Sequence, residues 1–170
     1  MKYLIIALTL IATIGCKTST TELAQNDTQE KVYEVQKSDA QWKAELTPAQ
    51  YDVLRRAGTE RPHSSPLNKQ YAAGTLICAA CNAPVYDNAH KFDSGTGWPS
   101  YDRAIEGQVE RDVDYKIGYA RTELKCNTCG GHLGHEFNDG PSDTTGKRHC
   151  INGVALEFLP EGEALPALNK

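Results

Sequence analysis

With 170 residues, 39% of them hydrophobic, the chain has length for one domain of ordinary size together with a leader and a tether, and for a core that does not depend on disulfides. Its 18 Lys and Arg are mixed among 22 Asp and Glu for a formal charge of −4, so no basic face for phosphate stands out. That balance tells against nucleic acid as a partner.

Met1 to Gly15 reads as a secretory signal: Lys2 supplies the positive start, and Leu4 to Ile14 is an apolar run of 11 residues broken only by Thr9 and Thr13. The run is too short to span a bilayer as a mature helix. Its end, Ile14-Gly15-Cys16, resembles the bacterial lipoprotein signal, in which the cysteine is acylated and becomes the new N-terminus. Thr13 departs from that pattern, which usually has Leu three positions before the cysteine. The competing reading is a soluble secreted protein whose Cys16 leaves with the leader or stays a free thiol. The expected location is extracytoplasmic, periplasmic or membrane-anchored, with any membrane attachment made by a lipid on Cys16 and not by a spanning segment.

Residues 16–37 are rich in Thr, Gln, Glu and Lys without a sustained apolar period, which predicts a flexible tether. Ser38 and Gln41 have capping-box spacing for a short helix, and Thr47-Pro48 forms an N-cap and first helical position. Ala49, Tyr51, Val53, Leu54 and Ala57 then share one helical face, closed by Gly58. Beyond Gly58, short apolar stretches separated by Gly, Pro, Asn and Asp predict an all-β texture. The expected strands run from Tyr71 to Ile77, from Val113 to Leu124 with Gly118 as a candidate interruption, and from Arg148 to Phe158. Turns are expected at Asn82-Ala83-Pro84, Asp139-Gly140-Pro141 and Thr144-Thr145-Gly146.

Four of the six cysteines form two C-x-x-C pairs, Cys78/Cys81 and Cys126/Cys129, 44 residues apart. Two such knuckles supply a closed tetrahedral four-sulfur shell, which predicts one structural zinc ion. Iron in the same geometry, or two disulfides, would use the same thiols. A redox-active pair would open a helix in a βαβ context, and neither pair is followed by a helical pattern. Cys150 stands outside these patterns and is the candidate nucleophile. In a strand, residues two apart share a face, so Arg148, Cys150 and Asn152 are expected to point the same way, with Val154, Leu156 and Phe158 continuing that face as core. A guanidinium beside Cys150 would favour the thiolate. His132 and His135, spaced i, i+3, could be metal ligands, acid/base groups or structural residues.

Taken together, the ordered segments resemble the methionine-R-sulfoxide reductases. They are Leu46-Thr47-Pro48-x-Gln50-Tyr51, Gly58-Thr59-Glu60-Arg61-Pro62, Ser65-Pro66-Leu67-Asn68, Asp93-Ser94-Gly95-Thr96-Gly97-Trp98-Pro99-Ser100, Arg121-Thr122-Glu123, His132-Leu133-Gly134-His135 and Arg148-His149-Cys150-Ile151-Asn152. The resemblance implies a mainly β fold, two small antiparallel sheets forming a β-core with peripheral N-terminal helices and a four-cysteine zinc site remote from the catalytic cysteine. It places a reductase domain at 38–160 and a tail at 161–170. It further implies attack by the Cys150 thiolate on a sulfoxide sulfur, with His132 as proton donor and His135 and Asn152 as proton-donating or orienting groups. Trp98 would wall the site for the S-methyl group, with Arg148 also in the substrate site. The implied partners are oxidised proteins bearing methionine sulfoxide and a thioredoxin-like or small-thiol reductant.

One departure from the family pattern matters most, and two are smaller. Thr96 stands where many members carry the cysteine that resolves the sulfenic acid, which implies a one-cysteine cycle completed by an external thiol. Glu136 stands where relatives have an apolar residue, and if close to His135 it would raise that imidazole's pKa. His149, often aromatic in relatives, is expected on the strand face opposite Cys150, in a supporting role.

Overall fold

The capping box expected at Ser38 forms, and the N-cap expected at Thr47 proves to be a second one. In the computed structural model, which describes residues 31–170, the Ser38 hydroxyl accepts from the Gln41 N–H while the Gln41 side chain accepts from the Ser38 N–H, opening α1 (Asp39–Glu45). Thr47 and Gln50 repeat the exchange at the start of α2 (Pro48–Arg56), with Pro48 at the first helical position, where its missing N–H loses no bond. Helix α2 closes at Ala57, which takes the left-handed cap at φ 51° in place of the expected Gly58. Gly58 follows the cap, and a Cβ there would have to displace the Asp52 carboxylate, 2.3 Å away. The helices bury Trp42, Val53 and Leu54 against the sheets, and the Arg55 guanidinium lies 4.8 Å from the centre of the Trp42 ring.

The rest is mainly β, in two antiparallel sheets. The smaller holds β1 (Gly74–Cys78), β2 (Pro84–Asp87) and β9 (Leu156–Pro160) in the order β2-β1-β9. The larger holds β3 (Lys91–Phe92), β4 (Ser100–Tyr101), β5 (Val109–Asp114), β6 (Arg121–Cys126), β7 (His132–Phe137) and β8 (Arg148–Ile151), in the order β3-β4-β8-β7-β6-β5. Tyr86 from the smaller sheet stacks on Tyr101 from the larger, ring centres 4.5 Å apart, and Leu76, Val85, Leu124, Leu133 and Ile151 are fully buried around them. Each such aliphatic side chain contributes about 1.5–3 kcal/mol by leaving water.

Two of the expected strands are corrected, and between them the candidate interruption at Gly118 is borne out. The first begins at Gly74, not Tyr71: a Cβ at position 74 would meet the Leu159 carbonyl at 2.3 Å, so the close entry to the sheet needs glycine. The stretch from Val113 to Leu124 is a hairpin of β5 and β6, with Gly118 in its turn at φ 90°. The stretch from Arg148 to Phe158 is two strands in different sheets, separated by a 3-10 turn over Gly153–Ala155. Val154, Leu156 and Phe158 therefore do not continue the face that carries Cys150.

Residues expected as tether and tail also join the packing. Val35 is buried and its N–H donates to the Thr128 carbonyl at 3.0 Å, while the Asn169 N–H donates to the Cys81 carbonyl at 3.1 Å. The two ends of the described chain thus lie against the two cysteine knuckles. The signal segment, Cys16 and the tether up to residue 30 lie outside the described residues. Among the described residues no helix is long and apolar enough to cross a membrane.

Candidate active site and metal centre

Strand register sets the site. Ser100 pairs with Cys150, Cys150 with His135, and His135 with Glu123, so one row across β4, β8, β7 and β6 carries these four residues. In a regular strand His132 would face away from His135, because residues three apart lie on opposite faces. A bulge prevents that: Leu124 pairs with Gly134 but Lys125 pairs with His132, leaving Leu133 as the extra residue. The two imidazoles consequently meet edge to face with centres 5.2 Å apart. Gly134 completes the arrangement, since a Cβ there would lie 2.0 Å from the Cys150 carbonyl oxygen.

Above this row is a cavity of about 160 Å³ lined by Trp98, Arg121, His135, Phe137, Cys150 and Asn152, with Thr59 and Gly134 at its sides. Burial pushes the Cys150 thiol above its usual range. The Arg148 guanidinium and a hydrogen bond from the Thr96 hydroxyl both pull the other way, without offsetting the burial. Arg148 favours the thiolate as expected, but it does not line the cavity. It is held by a bidentate pair with Asp139 at 2.9 and 3.0 Å, and its guanidinium lies 4.4 Å from the centre of the Phe137 ring. Thr96 is fixed from behind by Ser94, whose hydroxyl shares hydrogen bonds with those of Thr96 at 2.8 Å and Ser100 at 2.7 Å.

His135 lines the cavity, whereas His132 does not and packs against the His135 ring. Nε2 of His135 meets an Asp114 carboxylate oxygen at 2.8 Å. Asp114 is held far below the ordinary carboxylate range, first by the Lys116 backbone N–H at 2.6 Å, then by His135 and by Arg121 at 2.5 Å. An ionised Asp114 accepts, so Nε2 carries the proton and Nδ1 is the atom free to exchange one. Burial lowers the His135 pKa, which outweighs the pull of Asp114. His132 presents Nδ1 to Glu123 at 2.5 Å, and its buried Nε2 has no hydrogen-bond partner among the described residues.

Asn152 is buried and held at both ends: its Oδ1 accepts from the Glu60 N–H and its Nδ2 donates to the Leu133 carbonyl, each at 3.0 Å. The Glu60 carboxylate accepts from the Gly153 and Val154 N–H groups at 2.6 and 3.0 Å, which turns the chain out of β8. The Trp98 indole N–H donates to the Glu60 carbonyl at 3.1 Å. Glu136 is on the other face of the sheet, paired with Arg111 at 2.7 Å and with His149 at 3.2 Å, so it does not act beside His135 as considered from the sequence. His149 lies there too, between Glu136 and the Tyr86 hydroxyl. Nothing in the sequence marks Asp114 or Asp139 as partners of the site. Thr59, Glu60, Arg121 and Glu123 fall in segments that carried the resemblance, although without assigned roles.

The four remaining described thiols gather elsewhere. Sγ of Cys78 and Cys129 are 3.8 Å apart, those of Cys81 and Cys126 3.7 Å apart, and all four lie within 4.8 Å of one another. Sulfurs about 2.3 Å from a tetrahedral ion are about 3.8 Å apart, whereas a disulfide closes to about 2.05 Å. The donor set and spacing fit a metal ion, and all four cysteines are buried and free. Hydrogen bonds from Cys126 raise the Cys78 thiol while those from Cys129 lower that of Cys126, so the cluster cannot place four negative charges together without a cation. None of the four lines the cavity above Cys150.

A family model described as the SelR domain matches residues 46–160, and the chain belongs to that family. A protein of Leifsonia xyli subsp. xyli named peptide methionine sulfoxide reductase MsrB is 48% identical over 132 residues, covering 77% of this chain and 95% of its own length. Proteins of the same name from Leptospira interrogans, 49% identical over 130 residues, and Burkholderia cenocepacia, 45% identical over 141 residues, cover 76% and 81% of this chain and 98% and 99% of their own lengths.

Proposed function

We propose that the chain reduces methionine-R-sulfoxide residues of proteins to methionine through a sulfenic acid on Cys150. The observation that carries this reading is Cys150 in a small cavity walled by Trp98 and His135, within a chain of the SelR domain family. The Cys150 sulfur attacks the sulfoxide sulfur, and the S–O bond breaks as oxygen passes to Cys150. Proton transfer lets that poor leaving oxygen depart, and His135, with Asp114 fixing its tautomer, is placed to mediate it. His132 supports the ring of His135 from behind. Trp98 supplies the apolar wall for the S-methyl group, and Asn152, tied like Trp98 to the Glu60 backbone, completes the lining. Thiol and sulfoxide thus become sulfenic acid and thioether, with the sulfoxide reduced and Cys150 oxidised.

The side chains that hydrogen-bond Cys150 are Thr96 and Arg148, neither of them a thiol, and the other described cysteines are gathered in the four-sulfur cluster. These placements support a one-cysteine cycle. An external thiol, small or thioredoxin-like, condenses with the sulfenic acid, releasing water and leaving a mixed disulfide that a second thiol reduces. Cys78, Cys81, Cys126 and Cys129 would hold one zinc ion, whose role with no open position is structural. The apolar segment before Cys16 supports an extracytoplasmic setting, with a lipid on Cys16 as the membrane tether and oxidised envelope proteins as substrates.

Separated R and S forms of N-acetylmethionine sulfoxide, supplied with dithiothreitol, test the reading. Turnover of the R form alone, lost in Cys150→Ser, is expected. Equal turnover of both forms, or activity retained in Cys150→Ser, would contradict it.

A further inference from the structure

The cavity above Cys150, at about 160 Å³, has room for one methionine-sized side chain and little beyond it, yet a protein substrate extends to either side of that residue. A second, larger cavity of about 680 Å³ lies across a shared wall: Thr59 lines both, and Asn152 borders the first where its neighbour Gly153 borders the second. Val53, Pro66, Leu67, Val154 and Phe158 give the larger groove an apolar lining. Its volume falls in the range of pockets that bury a ligand of several side chains.

The wall between the cavities is tied on both sides. Through Glu60, the carboxylate holds the Gly153 and Val154 N–H groups, the N–H holds Asn152, and the carbonyl holds the Trp98 indole. The groove is therefore fixed relative to the cavity that takes the sulfoxide. An unfolded chain exposes the apolar side chains that folding would bury, and the apolar lining of the groove suits them.

We propose that this groove binds the apolar residues flanking the oxidised methionine of an unfolded polypeptide, an inference that rests on the reductase reading. Enclosing one Leu- or Val-sized flanking side chain is worth about tenfold or more in kcat/KM. The groove gives the enzyme a preference among proteins that the cavity above Cys150 cannot supply.

The experiment compares two blocked hexapeptides, one with methionine-R-sulfoxide among leucines and valines, the other with it among serines and glycines, with N-acetylmethionine-R-sulfoxide as the small control. The full chain should favour the apolar peptide by about tenfold or more. Ala49→Trp, which fills the groove from an exposed position on α2, should abolish that preference and leave the small control within about twofold. Leu67→Ser, which removes a contact instead of adding one, should reduce the preference, and thermal melting confirms that each variant folds. Equal kcat/KM for the two peptides in the unmodified chain overturns the inference without any variant. A changed KM for a thioredoxin-like reductant with the peptide preference intact also overturns it, assigning the groove to the reductant. Failure of the unmodified chain to reduce the small control would instead overturn the reductase reading, and the groove inference with it.

Discussion

At the scale of single residues, the site places a half-buried thiol and a buried imidazole in one cavity. Burial shifts Cys150 upward and His135 downward, so near neutrality the dominant pair is a thiol that keeps its proton and a neutral imidazole. That proton is the one the departing oxygen needs. The account predicts a broad bell in kcat/KM against pH: the acid limb lies below the ordinary imidazole range and the alkaline limb above the ordinary thiol range. Removing the cation in Arg148→Met raises the Cys150 pKa further, so the alkaline limb and the ultraviolet thiolate titration should both move to higher pH. A limb that stays in place would assign Arg148 to packing against Phe137 alone. His135→Asn should lower kcat by about 10²–10⁴ with KM little changed, while a larger loss in His132→Asn would restore the order of roles expected from the sequence.

At the scale of elements, the bulge in β7 and the contact between β7 and β8 decide whether a site exists. Gly134→Ala would drive a methyl group into the Cys150 carbonyl. It should cost about 3 kcal/mol of stability in urea unfolding and disable catalysis without touching a reacting group. The same two elements show where the sequence was readable. Capping chemistry is local, so Ser38-x-x-Gln41 and Thr47-Pro48 announced both helices, and the C-x-x-C spacings announced the four-cysteine cluster. The split of the stretch from Arg148 to Phe158 was hidden, because the partner that turns it, Glu60, lies more than 90 residues away in sequence. The facing of His132 was hidden too, since a bulge depends on the register of the neighbouring strand. Cys150, His135, Trp98 and Asn152 were visible as a set, while Asp114, which orients His135, and Asp139, which holds Arg148, are ordinary loop-border carboxylates until the fold brings them in.

At the scale of the whole molecule, both cysteine knuckles join distant parts of the chain: one follows β1 of the smaller sheet, the other joins β6 to β7 of the larger. Val35 and Asn169 fasten the ends of the described chain to the same knuckles. Metal analysis should find one zinc per chain, and a chelator or Cys81→Ser should lower the melting temperature by about 10 °C or more, taking activity with it. Unchanged melting after metal removal would show that the thiols hold the sheets together without an ion. The reaction itself is tested most directly by a single turnover of the full chain with N-acetylmethionine-R-sulfoxide and no added thiol, followed by intact mass. One methionine derivative per chain and a gain of one oxygen atom, trapped on Cys150 by a sulfenic-acid reagent and absent in Cys150→Ser, is the predicted result. A loss of two hydrogens, the mark of an internal disulfide to Cys150, would contradict the one-cysteine cycle, and no product from folded, reduced protein would contradict the reductase itself.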